Sequence, residues 1–380
     1  MFIMGSDLNI IAPFLADISR TYRVSVATSG WLVTVFAGGY AMASPIAGYL
    51  SDRTGRRFSL MLGMGSFVLF ETASGLAPSF GLELAARLMA GASAGAVSPA
   101  AYALVADVVP KSQRAGIMSI LSMGFSVSTV AGVPLGLWLA TAIGWRGTLL
   151  AIGAGLALPA SGLMMGLKGK IGSVRTTRIS PKEAHLSSLI LATWPSLLAS
   201  FMAFAAIGLV YTYMPTALIQ QGLPHPGGLL AVLSGYGLMN LAGNAIFGRM
   251  GDRKGMVRTI HWAQGMELVS LMGLAISVIF AELPWMVAAS WGFALTQAYI
   301  PDLKAMAANV ARDRRGASLA FNNTAMYGGM MTGSAIGAGL FHAGSFVWVV
   351  FSAVAAVGIG LGGMLRRTVK TEHSGGVGRR

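Results

Sequence analysis

The chain has 380 residues, of which 54% are hydrophobic and 11% charged, against about 25% charged in a soluble domain. So few charges cannot clothe a water-facing surface of this size, and the apolar segments are too many and too long for one core. A soluble domain is excluded and an all-α integral membrane protein is expected. Backbone groups must pair internally in lipid, and the sequence lacks the ~10-residue alternating segments of a barrel.

Hydropathy and breaks predict twelve spans, at 1–17, 29–50, 57–77, 80–107, 115–141, 145–167, 187–218, 227–250, 258–280, 284–309, 315–341 and 345–365. Each is near the ~20 residues that cross a ~30 Å hydrocarbon layer. The first lacks a basic leading region, so it reads as a span rather than a cleavable signal. Asp7 stands six residues from Met1, so this span is abbreviated or the true start lies upstream.

Span two ends in "GYLSDRTGRR" (48–57), which sets Asp52, Arg53, Arg56 and Arg57 between two apolar stretches. Gly55 is expected to permit the tight reversal, and Gly48 to let the helix end against a neighbouring backbone. Asp52 in so short a loop suits a helix N-terminus, whose dipole favours an anion. The arginine forks suit carboxylates or the last carbonyls of adjacent helices. Ionisable groups inside a membrane are costly, so each is a functional candidate: Asp7 in span one, Glu71 in span three, Arg87 in span four, Glu267 in span nine and Asp302 in span ten.

In span five, "GVPLG" (132–136) places small residues four apart, which lets helices approach closely, and Pro134 bends the helix. "GASAG" (91–95) fits the nucleophile elbow of hydrolases, but Ser93 lies midway along an apolar span and is read as helix packing. "NNT" (322–324) lies in a span, so its match to a glycosylation acceptor is incidental. There are no cysteines, the five histidines are scattered without metal spacing, and no nucleotide-binding loop occurs. Neither metal nor cofactor is expected, and no catalytic constellation suggests an enzyme.

With the amino terminus inside, the cytoplasmic stretches hold 23 of the 27 Lys and Arg. The outer loops hold Arg20, Arg23 and Arg146, and Arg87 lies within span four. The net charge of +14 therefore follows the positive-inside rule. It sets topology, with both termini cytoplasmic, and no nucleic-acid partner is expected.

The chain also repeats itself. "GRMGDRKG" (248–255) answers the first charged turn 200 positions on, "RRG" (314–316) answers "RAG" (114–116), Gly333 and Gly337 answer Gly132 and Gly136, and Pro215 answers Pro13. Two parallel six-helix halves are expected, at 1–167 and 187–365, joined by a basic cytoplasmic linker at 168–186 and followed by a tail at 366–380. Such halves are a recurrent transporter plan, with the substrate near the midplane between them.

At these residues the chain resembles the major facilitator superfamily. The signature G-x-L-x-D-R-x-G-R-R stands complete as Gly48, Leu50, Asp52, Arg53, Gly55, Arg56 and Arg57, with a degenerate copy in Gly248, Asp252, Arg253 and Gly255. The resemblance implies a cytoplasmic gate: Asp52 meeting the start of span eleven near Gly316, and Asp252 that of span five near Gly116. "DLNIIAPFLADI" resembles the first span of proton-coupled drug and metabolite exporters, and Arg87 with Gly91 matches a fourth-span R-x-x-x-G pattern, with Ala90 where a glutamine-like residue is usual. "GVPLG" with "GWRGT" (144–148), and "NNTAMYGGMMTGSAIG" (322–337), resemble the matching elements of bacterial arabinose-efflux-type and drug-resistance exporters, although Val133 and Leu135 depart from the stricter antiporter pattern.

In this family spans one, four, seven and ten line the cavity, which implies that Asp7 and Arg87 meet and couple transport to protons. The guanidinium favours the ionised carboxylate, so substrate or conformation would have to separate the two for a proton to bind. Glu71 and Glu267 fall in spans the family places at the periphery, where snorkelling or local pairing explains them. Asp302 either pairs with Lys304 or serves the site. Tyr211, Tyr213, Gln297, Tyr299, Asp302, Asn322 and Asn323 are the candidate cavity residues.

The expectation is thus a multi-pass secondary transporter of the cytoplasmic (inner) membrane. It would export a small, largely uncharged or amphipathic molecule by proton antiport, working as a monomer with substrate, protons and lipid as partners. A facilitator or uptake symporter is the alternative, and a non-transporting sensor with a transporter fold stands behind it.

Overall fold

The computed structural model describes residues 1–110, 113–166, 186–310, 315–343 and 345–375. In chain order the helices are α1 (Phe2–Tyr22), α2 (Val26–Ser29), α3 (Trp31–Thr54), α4 (Arg56–Leu76), α5 (Phe80–Val108), α6 (Arg114–Val127) and α7 (Val133–Gly166). There follow α8 (Leu186–Gln220), α9 (Gly227–Lys254), α10 (Met256–Ile279), α11 (Leu283–Thr296), α12 (Ile300–Val310), α13 (Arg315–His342) and α14 (Phe346–Gly375). Among the described residues nine helical stretches are long and apolar enough to cross a membrane. The linker expected at 168–186 lies, apart from Leu186, outside the described residues, and helix α14 continues past residue 365 to Gly375.

Several predicted breaks appear as backbone features. The first helix runs on to Tyr22, beyond the expected end at 17. The boundary between spans five and six is Gly144, whose φ of 70° and ψ of 174° interrupt α7. Ahead of Pro134 the chain widens into a π-turn over Ser128–Gly132, where the Val133 amide reaches back to the Ser128 carbonyl. Span ten is two pieces, α11 and α12, around a tight 3₁₀ turn at Gln297–Tyr299. The eleventh span is one continuous helix, α13, rich in glycine and asparagine and not among the nine apolar stretches.

Two compact units emerge: Met1–Ala184 with Thr212–Gly237, and His185–Tyr211 with Leu238–Arg380. In the first, α3 and α4 lie along α5, α4 also meets α7, and α1 meets α6 and α7. Glycines make these approaches close. A methyl at Gly91 or Gly95 of "GASAG" would strike the backbone of Phe36 or Tyr40 in α3, and one at Gly39 that of Leu88 in α5. Ser93 donates to the Met89 carbonyl at 2.7 Å, an ordinary helical back-bond. Gly132 and Gly136 sit against Ser6 and Ile10 of α1.

The end of this unit where α1, the α4–α5 turn and the Gly144 break meet is tied by aromatics. The Tyr22 hydroxyl donates to Ala77 O at 2.9 Å, its ring meets Phe80 and Trp145, and the Arg146 guanidinium lies 5.3 Å from its centroid. Aromatic and cationic side chains favour that level of a bilayer.

In the second unit α10 packs on α11 and α14, around a core of Ala199, Ala203, Phe247, Ile260, Ala263, Ala298, Tyr299 and Met364. Gly329 and Gly333 of α13 press on the backbone of Phe201 and Ala205 in α8.

Candidate functional site

The first unit encloses a cluster of charged side chains. Asp7 comes from α1, Glu71 from α4, and Arg87 and Glu83 from α5; the three carboxyls are 0% exposed and the guanidinium 1%. Arg87 Nη1 donates to Asp7 Oδ1 at 2.5 Å and to Glu71 Oε2 at 3.2 Å. The close seam between α3 and α5 brings the Phe36 ring to 4.5 Å from the guanidinium carbon, a cation–π contact on the remaining face. One turn toward the connection of the α4–α5 hairpin, Ser74 donates to Glu83 Oε1 at 2.7 Å. The two helices thus form a ladder, with Glu71–Arg87 as one rung and Ser74–Glu83 as the next.

The sequence expectation that Asp7 and Arg87 meet agrees with this geometry. Of the two explanations offered for Glu71, snorkelling and local pairing, the structure has the second: Glu71 is buried and pairs with Arg87. Glycines at the α3–α5 seam set α5, and α4 packs along α5 with Glu71 on the shared face. Glu83 was missed altogether. The signal that finds it is the same one that found the others, an acid inside an apolar stretch.

In the second unit the acid of α10 is also buried. Glu267 accepts from the Tyr299 hydroxyl at 2.8 Å, and its other oxygen has no partner among the described residues. The 3₁₀ turn of Gln297–Tyr299 presents that hydroxyl. Tyr299, expected in a cavity, is therefore a buried partner of Glu267, and Glu267 too is locally paired. Gln297 is buried on the same turn. Asn322 is buried and donates to Ser200 Oγ at 2.7 Å, while Asn323 is partly exposed.

Asp302 makes no ion pair with Lys304. Its carboxylate instead lies beside Gly251, 3.3 Å from where a Cβ would stand, at the second charged turn. Tyr211 is buried in the second unit. Tyr213 belongs to the first, where its hydroxyl occupies the space a Cβ on Gly30 would need.

The two charged turns are built alike. Gly55 has φ 96° and ψ 140°, and Gly255 has φ 88° and ψ 144°. Both are backbone states that side-chain-bearing residues avoid. Each glycine reverses the chain between two long helices with a single residue, as expected for Gly55. Gly48 behaves otherwise than expected: α3 continues to Thr54, and a methyl at residue 48 or at Gly248 would meet nothing within 4 Å. Arg53 is exposed, Arg56 and Arg57 are partly buried, and Arg56 Nη1 donates to Ser51 Oγ at 3.3 Å. Asp252 and Arg253 are exposed. The side chain of Asp52 and the surroundings of Gly116 and Gly316 lie outside the described residues.

Comparison with known proteins bears on what this cluster serves. Residues 1–302 match the sequence profile of the Major Facilitator Superfamily. The chain is 28% identical over 354 residues to the uncharacterized MFS-type transporter YceJ of Bacillus subtilis, covering 90% of this chain and 87% of that one. It is 28% identical over 352 residues to the inner membrane transport protein YdhP of Escherichia coli K12, covering 91% and 88% respectively. To the chloramphenicol resistance protein of Streptomyces lividans it is 28% identical over 258 residues, 66% of this chain and 64% of the relative.

Proposed function

This chain belongs to the Major Facilitator Superfamily, a family of transporters and not of enzymes, and we propose that it exports a small molecule across the cytoplasmic membrane in exchange for protons. The observation that carries the reading is the dehydrated Asp7–Arg87 pair, a proton-binding group held against a fixed cation inside a membrane bundle. Ionised Asp7 neutralises Arg87. A proton on Asp7 weakens its hold on the guanidinium, and the altered pairing in a buried site favours a different arrangement of the helices around it. That makes protonation a bias between two conformations, the physical content of coupling.

The twelve-span plan belongs to the same reading, with six-helix halves at 1–167 and 187–365, a cytoplasmic linker and both termini inside. The charged turns around Asp52, Arg53, Arg56 and Arg57, and around Asp252 and Arg253, form the cytoplasmic gate. Tyr211, Tyr213, Gln297, Tyr299, Asp302, Asn322 and Asn323 are its cavity-side candidates. A relative named for chloramphenicol resistance supports a hydrophobic or amphipathic drug as the substrate class.

The test uses everted membrane vesicles with a pH-gradient dye and a panel of amphipathic drugs, chloramphenicol among them, sugars and amino acids. A compound that dissipates the gradient with wild-type protein but not with Asp7→Asn is the expected result. Substrate flux indifferent to both the gradient and the substitution would replace antiport by facilitated transport.

A further inference from the structure

The charge count of the Asp7 site does not close. Two carboxyls contact the same guanidinium nitrogen, so with both ionised the triad carries a net negative charge, fully buried. In a dry interior such an excess is costly, and like-charged carboxylates sharing a site do not both ionise. The unpartnered atoms agree. As carboxylates, Asp7 Oδ2 and Glu71 Oε1 find no donor, and Arg87 Nε finds no acceptor, among the described residues. Both acids approach one guanidinium nitrogen, at 2.5 and 3.2 Å, and a proton on either carboxyl would supply the missing donor and remove the excess charge.

We propose that Glu71 is a second proton-holding residue, sharing one proton with Asp7 over Arg87, and that Ser74 and Glu83 carry this proton one turn further along the α4–α5 hairpin. The inference deepens the proton-exchange reading above. With one proton the triad is neutral whichever carboxyl bears it. Transfer from Glu71 to Asp7 breaks one O–H bond and makes another, leaves Glu71 ionised on the same guanidinium, and separates no charge. Asp7 is thereby discharged without a proton having to cross dry protein at that moment. Replenishment runs along the ladder: Glu83 passes a proton to the Ser74 hydroxyl, which gives up its own toward Glu71. Ser74 lies one turn from Glu71 and 2.7 Å from Glu83, and Glu83 Oε2, without a partner among the described residues, is where an incoming proton binds.

The test is infrared difference spectroscopy of the purified full-length protein at neutral pH, without substrate. The wild type minus Glu71→Gln spectrum is expected to contain one carbonyl band of a protonated carboxylic acid. The same band is lost in Asp7→Asn, where Glu71 becomes the sole ionised partner of Arg87. Loss of only an ionised carboxylate signal in Glu71→Gln would overturn the shared proton. Should Glu71→Gln fail to insert, Glu71→Asp keeps an acid at that position, and its band must move; an unmoved band overturns the assignment. On transfer to heavy water the band shifts as its proton exchanges, and Glu83→Gln is expected to slow that shift at least tenfold; an unchanged rate removes Ser74 and Glu83 from the path. The band present in a protein whose flux ignores the pH gradient would refute antiport and leave the shared proton standing. Gradient-driven flux intact in Glu71→Gln, with no such band, would do the reverse.

Discussion

Replacing Arg87 by methionine removes the cation that Asp7 and Glu71 share while keeping an unbranched apolar side chain. Both carboxyls are 0% exposed, so water cannot reach in to compensate. Stranding a buried charge by deleting its partner costs about 3–5 kcal/mol, and the lost contact of the desolvated guanidinium with Phe36 adds about 2 kcal/mol. At about 1.4 kcal/mol per tenfold, the folded-to-unfolded ratio falls by roughly four to five powers of ten. The cost is one of charge balance rather than shape. The triple variant Asp7→Asn, Glu71→Gln, Arg87→Met, neutral throughout, is therefore expected to recover most of it, since buried ion pairs and apolar replacements of similar volume are often near equal in stability. Unfolding in mixed detergent micelles, followed by the fluorescence of the eight tryptophans, measures both. An Arg87→Met protein within about 0.5 kcal/mol of wild type, or a triple variant no more stable than the single one, would refute the closed charge cluster.

Other outcomes follow from the backbone and the remaining buried groups. Gly91→Ala puts a methyl on the Phe36 carbonyl oxygen and is expected to destabilise by about 1–3 kcal/mol, whereas Gly48→Ala meets open space and gains up to about 1 kcal/mol from helix propensity; the same unfolding assay separates them. Alanine at Gly55 or at Gly255 is expected to cost about 1–3 kcal/mol each, because both lie at positive φ; equal midpoints for wild type and variants would refute the strain. Tyr299→Phe leaves both oxygens of Glu267 without a partner and is expected to cost about 1–3 kcal/mol; the loss should vanish in a Glu267→Leu background. Asp52→Ala is expected to weaken transport while insertion is unchanged, read by vesicle flux against membrane abundance; full activity would remove Asp52 from the gate.

The membrane class, the repeated charged turn and the single-glycine reversals were legible in the residues alone, and each has a local cause. Too few charges to face water, a glycine where the chain must turn at positive φ, and acids stranded among apolar neighbours need no tertiary information to be recognised. Asp7 and Arg87 were legible for the last of these reasons. What the sequence could not decide was which way each acid points. In a soluble protein the polar face of a helix announces the outside. In a bilayer the lipid is as apolar as a leucine-lined core, so hydropathy does not separate the face turned to a neighbouring helix from the face turned to lipid. Snorkelling and local pairing therefore stood open for Glu71 and Glu267, and it took the packing of α4 on α5 and of α10 on the Gln297–Tyr299 turn to select pairing. The same packing, set by glycine contacts beside the charged residues, decided that one guanidinium would serve two carboxyls.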